Sequence, residues 1–87
     1  MNRDQATMSL IQSVCPGRDR LIERGYRDSP PFRELCLDYR RCVAALDCWA
    51  TRPAAESNQR QEEYSELLTE LRQEIESWLD AVESESA

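Results

Sequence analysis

The sequence predicts an all-α protein built on a long antiparallel helical hairpin. Two stretches carry apolar residues at alternating steps of three and four, the spacing that keeps side chains on one side of an α-helix. The first comprises Phe32, Leu35, Tyr39, Cys42, Leu46 and Trp49, and the second comprises Tyr64, Leu68, Leu71, Ile75, Trp78 and Val82. The chain has only 2 glycines and 4 prolines, too few for the frequent turns of a β-sandwich.

The same two stretches predict a register for the hairpin. Antiparallel packing brings them together pair by pair, so a single register satisfies the whole interface. The expected pairs are Trp49–Tyr64, Leu46–Leu68, Cys42–Leu71, Tyr39–Ile75, Leu35–Trp78 and Phe32–Val82. We expect this seam to form the centre of the protein.

Capping and helix-breaking residues predict two short helices before the hairpin. Asn2 or Asp4 is a suitable N-cap for a first helix, which should end near Val14 because a Pro-Gly pair follows soon after it. A second helix is expected over about residues 18–26. Gly25 should weaken its last turn, since glycine is a poor helix former.

A serine followed by two prolines predicts the start of the main helix. The residue before a proline disfavours the helical conformation, whereas proline itself suits the first helical turn. Ser29 is therefore the expected N-cap of a helix from about Pro31 to Ala50. This helix is apolar well beyond its seam, and a helix that is apolar on most sides is buried on most sides. We expect the N-terminal helices or a second copy of the protein to cover the remaining faces.

Polar residues predict the connection and the last helix. A loop is expected over about residues 51–57, after which Asn58 and Gln61 have the spacing of a capping box. The last helix should then run over about residues 59–82 with an acidic outer face. The polar tail, residues 83–87, is expected to fray.

Length and charge indicate one small domain, residues 1–87, with halves of unequal charge. The N-terminal helices occupy residues 1–28 and the hairpin residues 29–82, and the net charge is −6. Residues 1–41 hold 8 arginines against 6 acids, whereas residues 42–87 hold 3 against 11. This polarity favours helices that pack through complementary charged edges, within a chain or between copies, and solvated charged surfaces are the alternative.

The opening of the main helix resembles a known family. It reads Ser29-Pro30-Pro31-Phe32-Arg33-Glu34-Leu35-Cys36-Leu37-Asp38-Tyr39. This segment is similar to the Pro-x-Phe-x-x-Leu-x-x-x-Tyr pattern that opens a helix in the small bacterial helical-hairpin proteins called YdcH-like. The resemblance covers a short part of the chain, and the cysteines, the longer loop and the N-terminal extension depart from the family pattern. It implies a bacterial helical hairpin of unassigned biochemical role.

The spacing of the cysteines argues against a metal or cofactor site. Cys36, Cys42 and Cys48 lie six residues apart, so each is rotated by about 240° from the previous one on a helix. Zinc and iron–sulfur clusters need thiols that converge, or histidines, and the chain has no His. We expect no metal and no cofactor, and we interpret these cysteines as small core residues. A disulfide formed under oxidation, between chains or to Cys15, is the open alternative.

No residue pattern indicates catalysis. The chain lacks His, Lys and a Gly-rich phosphate loop, so we expect a protein that is not an enzyme. Arg20, Arg24 and Arg27 share a helical face that suits an anionic partner, although the overall acidity argues against tight nucleic-acid binding. A nucleic-acid-associated regulator and a thiol-based redox or metal module are the alternative functions.

Association is the function that the sequence favours. A homodimer that buries Leu37, Ala44 and Cys48, or their neighbours, would complete the hairpin into a bundle of four long helices. The candidate interaction surface is therefore Leu37, Ala44, Cys48, Arg20, Arg24 and Arg27. The sequence shows neither a membrane-span pattern nor a signal-peptide pattern, which predicts a cytoplasmic protein without a membrane partner.

Overall fold

Four α-helices make up the part of the chain that the structure describes. A computed structural model of the protein describes residues 3–51 and 54–86, the side chains of 54–57 and 86 excepted. The helices are α1 (Arg3–Val14), α2 (Asp19–Asp28), α3 (Pro30–Ala50) and α4 (Ala54–Ser86). The described residues contain no strand, so the predicted all-α class is confirmed. Within them, no helix is both long enough and apolar enough to cross a bilayer.

The first helix and the turn after it follow the prediction. α1 ends at Val14, and Gly17 then turns the chain with a φ of 87°, a conformation that glycine adopts without strain. Of the two predicted caps, Asn2 lies outside the described residues. Asp4 lies inside the first turn of α1, where its carboxylate accepts a hydrogen bond of 2.8 Å from the Tyr26 hydroxyl.

α2 ends two residues later than predicted, and Gly25 within it is a packing residue. The helix continues beyond Gly25 to Asp28. Gly25 is buried, and a Cβ atom there would lie 2.6 Å from Cη2 of Trp78 and 2.9 Å from Cδ2 of Phe32. The absence of a side chain lets α2 approach α3 and α4 closely, and this packing offsets the low helix propensity of glycine.

Ser29 joins α2 directly to α3. Its backbone N–H donates to the carbonyl oxygen of Gly25 at 2.8 Å, which closes α2. Its Oγ accepts a hydrogen bond of 3.4 Å from the backbone N–H of Phe32, in the first turn of α3. The predicted N-cap is confirmed, and the helix starts at Pro30 rather than Pro31.

The start of α4 differs from the prediction. The helix begins at Ala54, so Asn58 and Gln61 lie inside it and the predicted capping box is wrong. Two consecutive alanines open the helix, and alanine has the highest helix propensity of all residues. Residues 52 and 53 of the predicted loop lie outside the described residues.

The end of α4 also differs. The helix was expected to end near residue 82, whereas α4 continues to Ser86, and the expected fraying of residues 83–87 stays a prediction. Glu83 forms an ion pair of 3.3 Å with Arg18. Ala87 lies outside the described residues.

α3 and α4 pack along each other in opposite directions. Near the start of α3, the ring of Phe32 stacks on Trp78 with the ring centroids 4.1 Å apart. Further along α3, the Cys42 thiol donates a hydrogen bond of 3.3 Å to the backbone carbonyl of Tyr64, which lies earlier in α4. Residues late in α4 thus meet the beginning of α3.

The observed pairing is displaced by about one helical turn from the predicted register. Phe32 contacts Trp78, whereas the prediction placed Leu35 against Trp78 and Phe32 against Val82. α4 also begins before the predicted start at about residue 59, and an earlier start favours a displacement in this direction.

The core forms where α1 and α2 pack onto the α3–α4 pair. Its buried apolar residues are Ile11, Cys15, Ile22, Tyr26, Phe32, Cys36, Tyr39, Cys42, Leu71, Ile75 and Leu79. The predicted seam residues Phe32, Tyr39 and Ile75 are buried as expected. Leu79 is fully buried although it does not belong to the predicted stripe, whereas Trp78 is half-buried.

Candidate interaction surface

The apolar residues predicted to mediate association lie on the outer face of α3. Leu37 is half-buried, and Ala44 and Cys48 are exposed. Together with Arg41 they follow steps of four, three and four, so they form one stripe along the helix. By helical rotation this stripe lies on the side opposite the buried Tyr39. We call Leu37, Arg41, Ala44 and Cys48 the α3 outer stripe.

An open groove of about 200 Å³ lies along this stripe. Its lining residues are Arg3, Leu37, Arg40, Arg41 and Ala44, so the start of α1 and the outer face of α3 form it together. The Arg41 guanidinium pairs with Asp38 at 2.8 Å, and both side chains are exposed. In the described part of the chain, neither Arg3 nor Arg40 belongs to an ion pair. The groove therefore combines two apolar side chains with three guanidinium groups.

A second candidate surface lies on α4 around Leu67. This side chain is 41% exposed, and no other large apolar side chain among the described residues is classed as exposed. Glu63, Glu70 and Glu74 lie with it at steps of four, three and four, on one side of the helix. Glu63 pairs with Arg60 at 3.6 Å, whereas Glu70 and Glu74 form no ion pair with any described residue. We call Glu63, Leu67, Glu70 and Glu74 the α4 acidic stripe.

The predicted arginines of α2 lie in a different place. Arg20, Arg24 and Arg27 are exposed, and Arg27 pairs with the neighbouring Asp28 at 3.3 Å. Arg27 lines a separate open groove of about 410 Å³, which Asp4 and Glu23 also line. The structure therefore does not join these arginines and the α3 outer stripe in one groove.

Arg18 is the arginine of the N-terminal half that binds the acidic last helix. Its guanidinium donates a hydrogen bond to Asp80 and forms an ion pair of 3.3 Å with Glu83. The hydrogen bond to Asp80 raises the pKa of Arg18. Pairing between the arginine-rich half and the last helix was expected from the sequence, and here it occurs within one chain. The sequence does not distinguish Arg18 from the other arginines as the partner of the last helix, because this contact depends on the packing of α2 on α4.

The cysteines divide into three buried thiols and one exposed thiol. Cys15, Cys36 and Cys42 are buried and unbridged, whereas Cys48 is exposed, so its interpretation as a core residue is wrong. The rotation that points three cysteines in different directions places Cys48 on the side of α3 away from the core. The described residues contain no group of three or more Cys, His, Asp or Glu side chains that could hold a metal ion.

Burial also makes the core thiols unreactive. It raises the pKa of Cys36 to about 12, and it is the main reason that the pKa values of Cys15 and Cys42 are raised. These thiols stay protonated at neutral pH, and a protonated thiol is neither a good nucleophile nor a metal ligand. Cys48 is thus the thiol with access to solvent.

The sequence predicted an acidic outer face for the last helix, but it missed Arg41 as a member of the α3 outer stripe and Leu67 as an exposed apolar residue on that acidic face. The steps of four, three and four were present as a signal, but a search for apolar spacing passes over a charged residue inside a stripe. Arg3 gave no signal, because only the packing of α1 on α3 brings it to the groove.

No family model matches the chain, and neither a curated protein nor a solved structure matches it.

Proposed function

We propose that this is a small non-enzymatic helical protein that acts by associating with a second copy of itself, with the α3 outer stripe inside the interface. The α3–α4 pair is then one hairpin of a bundle that the partner copy completes. The proposal is carried by the position of Leu37, Ala44 and Cys48, three apolar residues on one face of a long helix, two of them exposed.

The energetics of apolar burial support association. Removing apolar surface from water is worth roughly 25 cal/mol per Å². A small domain has a total stability of only about 5–15 kcal/mol. A contact that buries a few hundred Å² along one helix face would therefore contribute several kcal/mol, a substantial fraction of the stability of the chain alone.

The mass in solution tests this function. Gel filtration with light scattering under reducing conditions is expected to give about twice the 10.1 kDa of one chain at micromolar concentration. Reductant should not change the result, because packing rather than a disulfide holds the copies together. A compact, folded monomer at high micromolar concentration would overturn the proposal.

A pair of alanine variants tests the surface. Ala44→Glu places a charge on the α3 outer stripe and is expected to weaken association strongly, because the charge would be buried in the interface. Ala81→Glu is the matched control, since Ala81 is also an exposed helical alanine but lies on α4, away from this stripe. Circular dichroism of both variants should match that of the wild type.

The proposal extends to location and family. We propose a cytoplasmic protein related to YdcH-like helical-hairpin proteins. The free cysteines are compatible with a reducing compartment, and the segment from Pro30 to Tyr39 lies at the start of a long helix as the resemblance implies. Fractionation of cells that express the protein would test the location.

A regulator that binds nucleic acid is the second candidate. It is favoured by Arg20 and Arg24, which are exposed and belong to no ion pair with a described residue. It is opposed by Asp19 and Glu23, which alternate with them and repel phosphate. Fluorescence anisotropy with duplex DNA and with RNA is expected to show no binding at physiological salt. Salt-dependent binding that Arg20→Glu abolishes would favour the regulator instead.

A further inference from the structure

Spacing and charge relate the α3 outer stripe to the α4 acidic stripe. We propose that the α4 acidic stripe of one copy docks, antiparallel, on the α3 outer stripe of a second copy. This inference rests on the proposed function, because it names the surface of the partner copy that fills the groove on α3.

The matching steps of the two stripes select an antiparallel orientation. Each stripe advances by four, three and four residues, so two such helices stay in contact over the full length of both stripes. In the antiparallel order, Arg41 faces Glu70 of the second copy. The parallel order would instead set Arg41 opposite Leu67, and neither an ion pair nor an apolar pair would form.

The apolar members also match in the antiparallel order. Ala44 of one copy then faces Leu67 of the other, a small side chain opposite a large one. Ala44 lines the groove on α3, and Leu67 is exposed on α4. A large side chain that enters a depression between smaller ones is the usual geometry of packed helices. Docking thus buries Leu67, which the fold of a single chain leaves in water.

The groove on α3 and the α4 acidic stripe also carry complementary charges that form no ion pair with a described residue of their own chain. Leu37 faces Glu74 of the second copy, and Arg3 and Arg40 line the same groove as Leu37. These two arginines and Glu74 belong to no ion pair with any described residue of their own chain. Complementary charge at an interface fixes orientation and suppresses wrong pairings. Every copy carries one of each surface, so a dimer with two-fold symmetry makes this contact twice, once in each direction.

A charge exchange between two variants tests the docking. Arg41→Glu and Glu70→Arg each place like charges opposite one another, and each is expected to raise the dissociation constant at least about tenfold in sedimentation velocity. An equimolar mixture is expected to regain most of the wild-type association, because each variant supplies the charge that the other has lost. Arg24→Glu and Glu66→Arg are the matched controls, with the same charge changes at exposed positions outside both stripes.

The outcomes separate this docking from the proposed function. Weaker association of Arg41→Glu and of Glu70→Arg, with recovery of association in their mixture, supports the docking. The variants Arg40→Glu and Glu74→Arg should behave in the same way. Unchanged association of Arg41→Glu and Glu70→Arg, with loss in Ala44→Glu, overturns the docking but retains association through α3. Unchanged association in all of these variants overturns both surfaces. A wild-type monomer overturns the proposed function itself.

Discussion

The indole of Trp78 on α4 lies directly against the backbone of Gly25 on α2. A Cβ atom at Gly25 would be 2.6 Å from Cη2 and 2.7 Å from Cζ3 of that indole, distances that real side chains do not adopt. Phe32 stacks on the same indole, so three helices meet around one ring. This contact fixes how closely α2 can approach the α3–α4 pair.

We therefore expect Gly25→Ala to destabilise the protein. Overpacking of a core costs about 1–3 kcal/mol, which exceeds the gain of up to about 1 kcal/mol in helix propensity from glycine to alanine. Urea unfolding followed by circular dichroism would measure the cost. The same substitution in a Trp78→Phe background should cost less, since the two close indole atoms are gone. An equal cost in both backgrounds would contradict this account of the contact.

Thiol reactivity should distinguish Cys48 from the other cysteines. In the Ala44→Glu background, which keeps Cys48 out of the proposed interface, a thiol-specific chromogenic reagent is expected to modify one thiol per native chain rapidly and all four after denaturation, because the other three are buried. Cys48→Ala should abolish the rapid phase, whereas Cys36→Ala should leave it unchanged. Rapid modification of two or more thiols in the native protein would show that the core opens easily.

Alkaline pH should weaken the fold partly through Cys36. Burial raises the pKa of this thiol from its ordinary 9.0 to about 12. The unfolded thiol ionises first, so the contribution of Cys36 is complete below pH 9 and is lost as the pH rises from 9 to 12. Urea unfolding between pH 8 and pH 10.5 should show a smaller pH dependence for Cys36→Ala than for the wild type.

The matched control for this experiment is Cys48→Ala, which leaves Cys36 in place and should keep the full pH dependence. Cys36→Ala should also lower the stability at neutral pH by about 1 kcal/mol, because it leaves a small cavity. Some pH dependence will persist in it, since burial also raises the pKa values of Tyr26 and Cys42. If the free energy of unfolding of Cys36→Ala changed with pH as it does in the wild type, Cys36 would be excluded as a contributor to the pH dependence.

The Arg18 contacts should protect the end of α4. In Arg18→Ala, the last turns of α4 lose their ion pairs with Asp80 and Glu83. Amide hydrogen exchange over residues 80–86 should become faster, with little change in the core, because exposed ion pairs contribute little to global stability. Arg24→Ala, which removes an exposed arginine without such partners, is the control. Unchanged exchange would show that helix propensity alone orders this end.

Local signals in the sequence predicted the N-terminal boundaries well. A serine before prolines defines the start of α3, and a Pro-Gly pair defines the turn after α1, because these residues restrict their own backbone. The start of α4 was missed because the capping pattern at Asn58 competed with helix-forming alanines, and the alanines prevailed. The outcome depends on small differences in free energy between helices that start at neighbouring residues.

The register and the buried side of α4 depend on tertiary packing. The predicted stripe steps from Ile75 to Trp78 and Val82, as a two-helix seam requires. The buried residues instead run Leu71, Ile75 and Leu79, in steps of four. Steps of four drift around the helix by about 40° each, which turns the buried side toward a third helix, because α2 also packs on α4.

The candidate surface was predictable only in its apolar half. The outward position of Leu37, Ala44 and Cys48 follows from helical rotation once the seam on α3 is known. The arginine from α1 that joins their groove does not follow from the sequence, because it depends on where α1 packs along α3.

Because Ser29 joins α2 directly to α3, the rotation of α2 about its own axis is fixed relative to that of α3. One residue closes the first helix and opens the second, so no flexible segment between them can absorb a change in length. Each residue added to a helix rotates everything beyond it by about 100°. A single insertion beside Ser29 would therefore swing Gly25 away from the Trp78 ring while leaving every side chain of the core in the sequence. The orientation of α2 is thus encoded in the number of residues at this joint as much as in their chemistry.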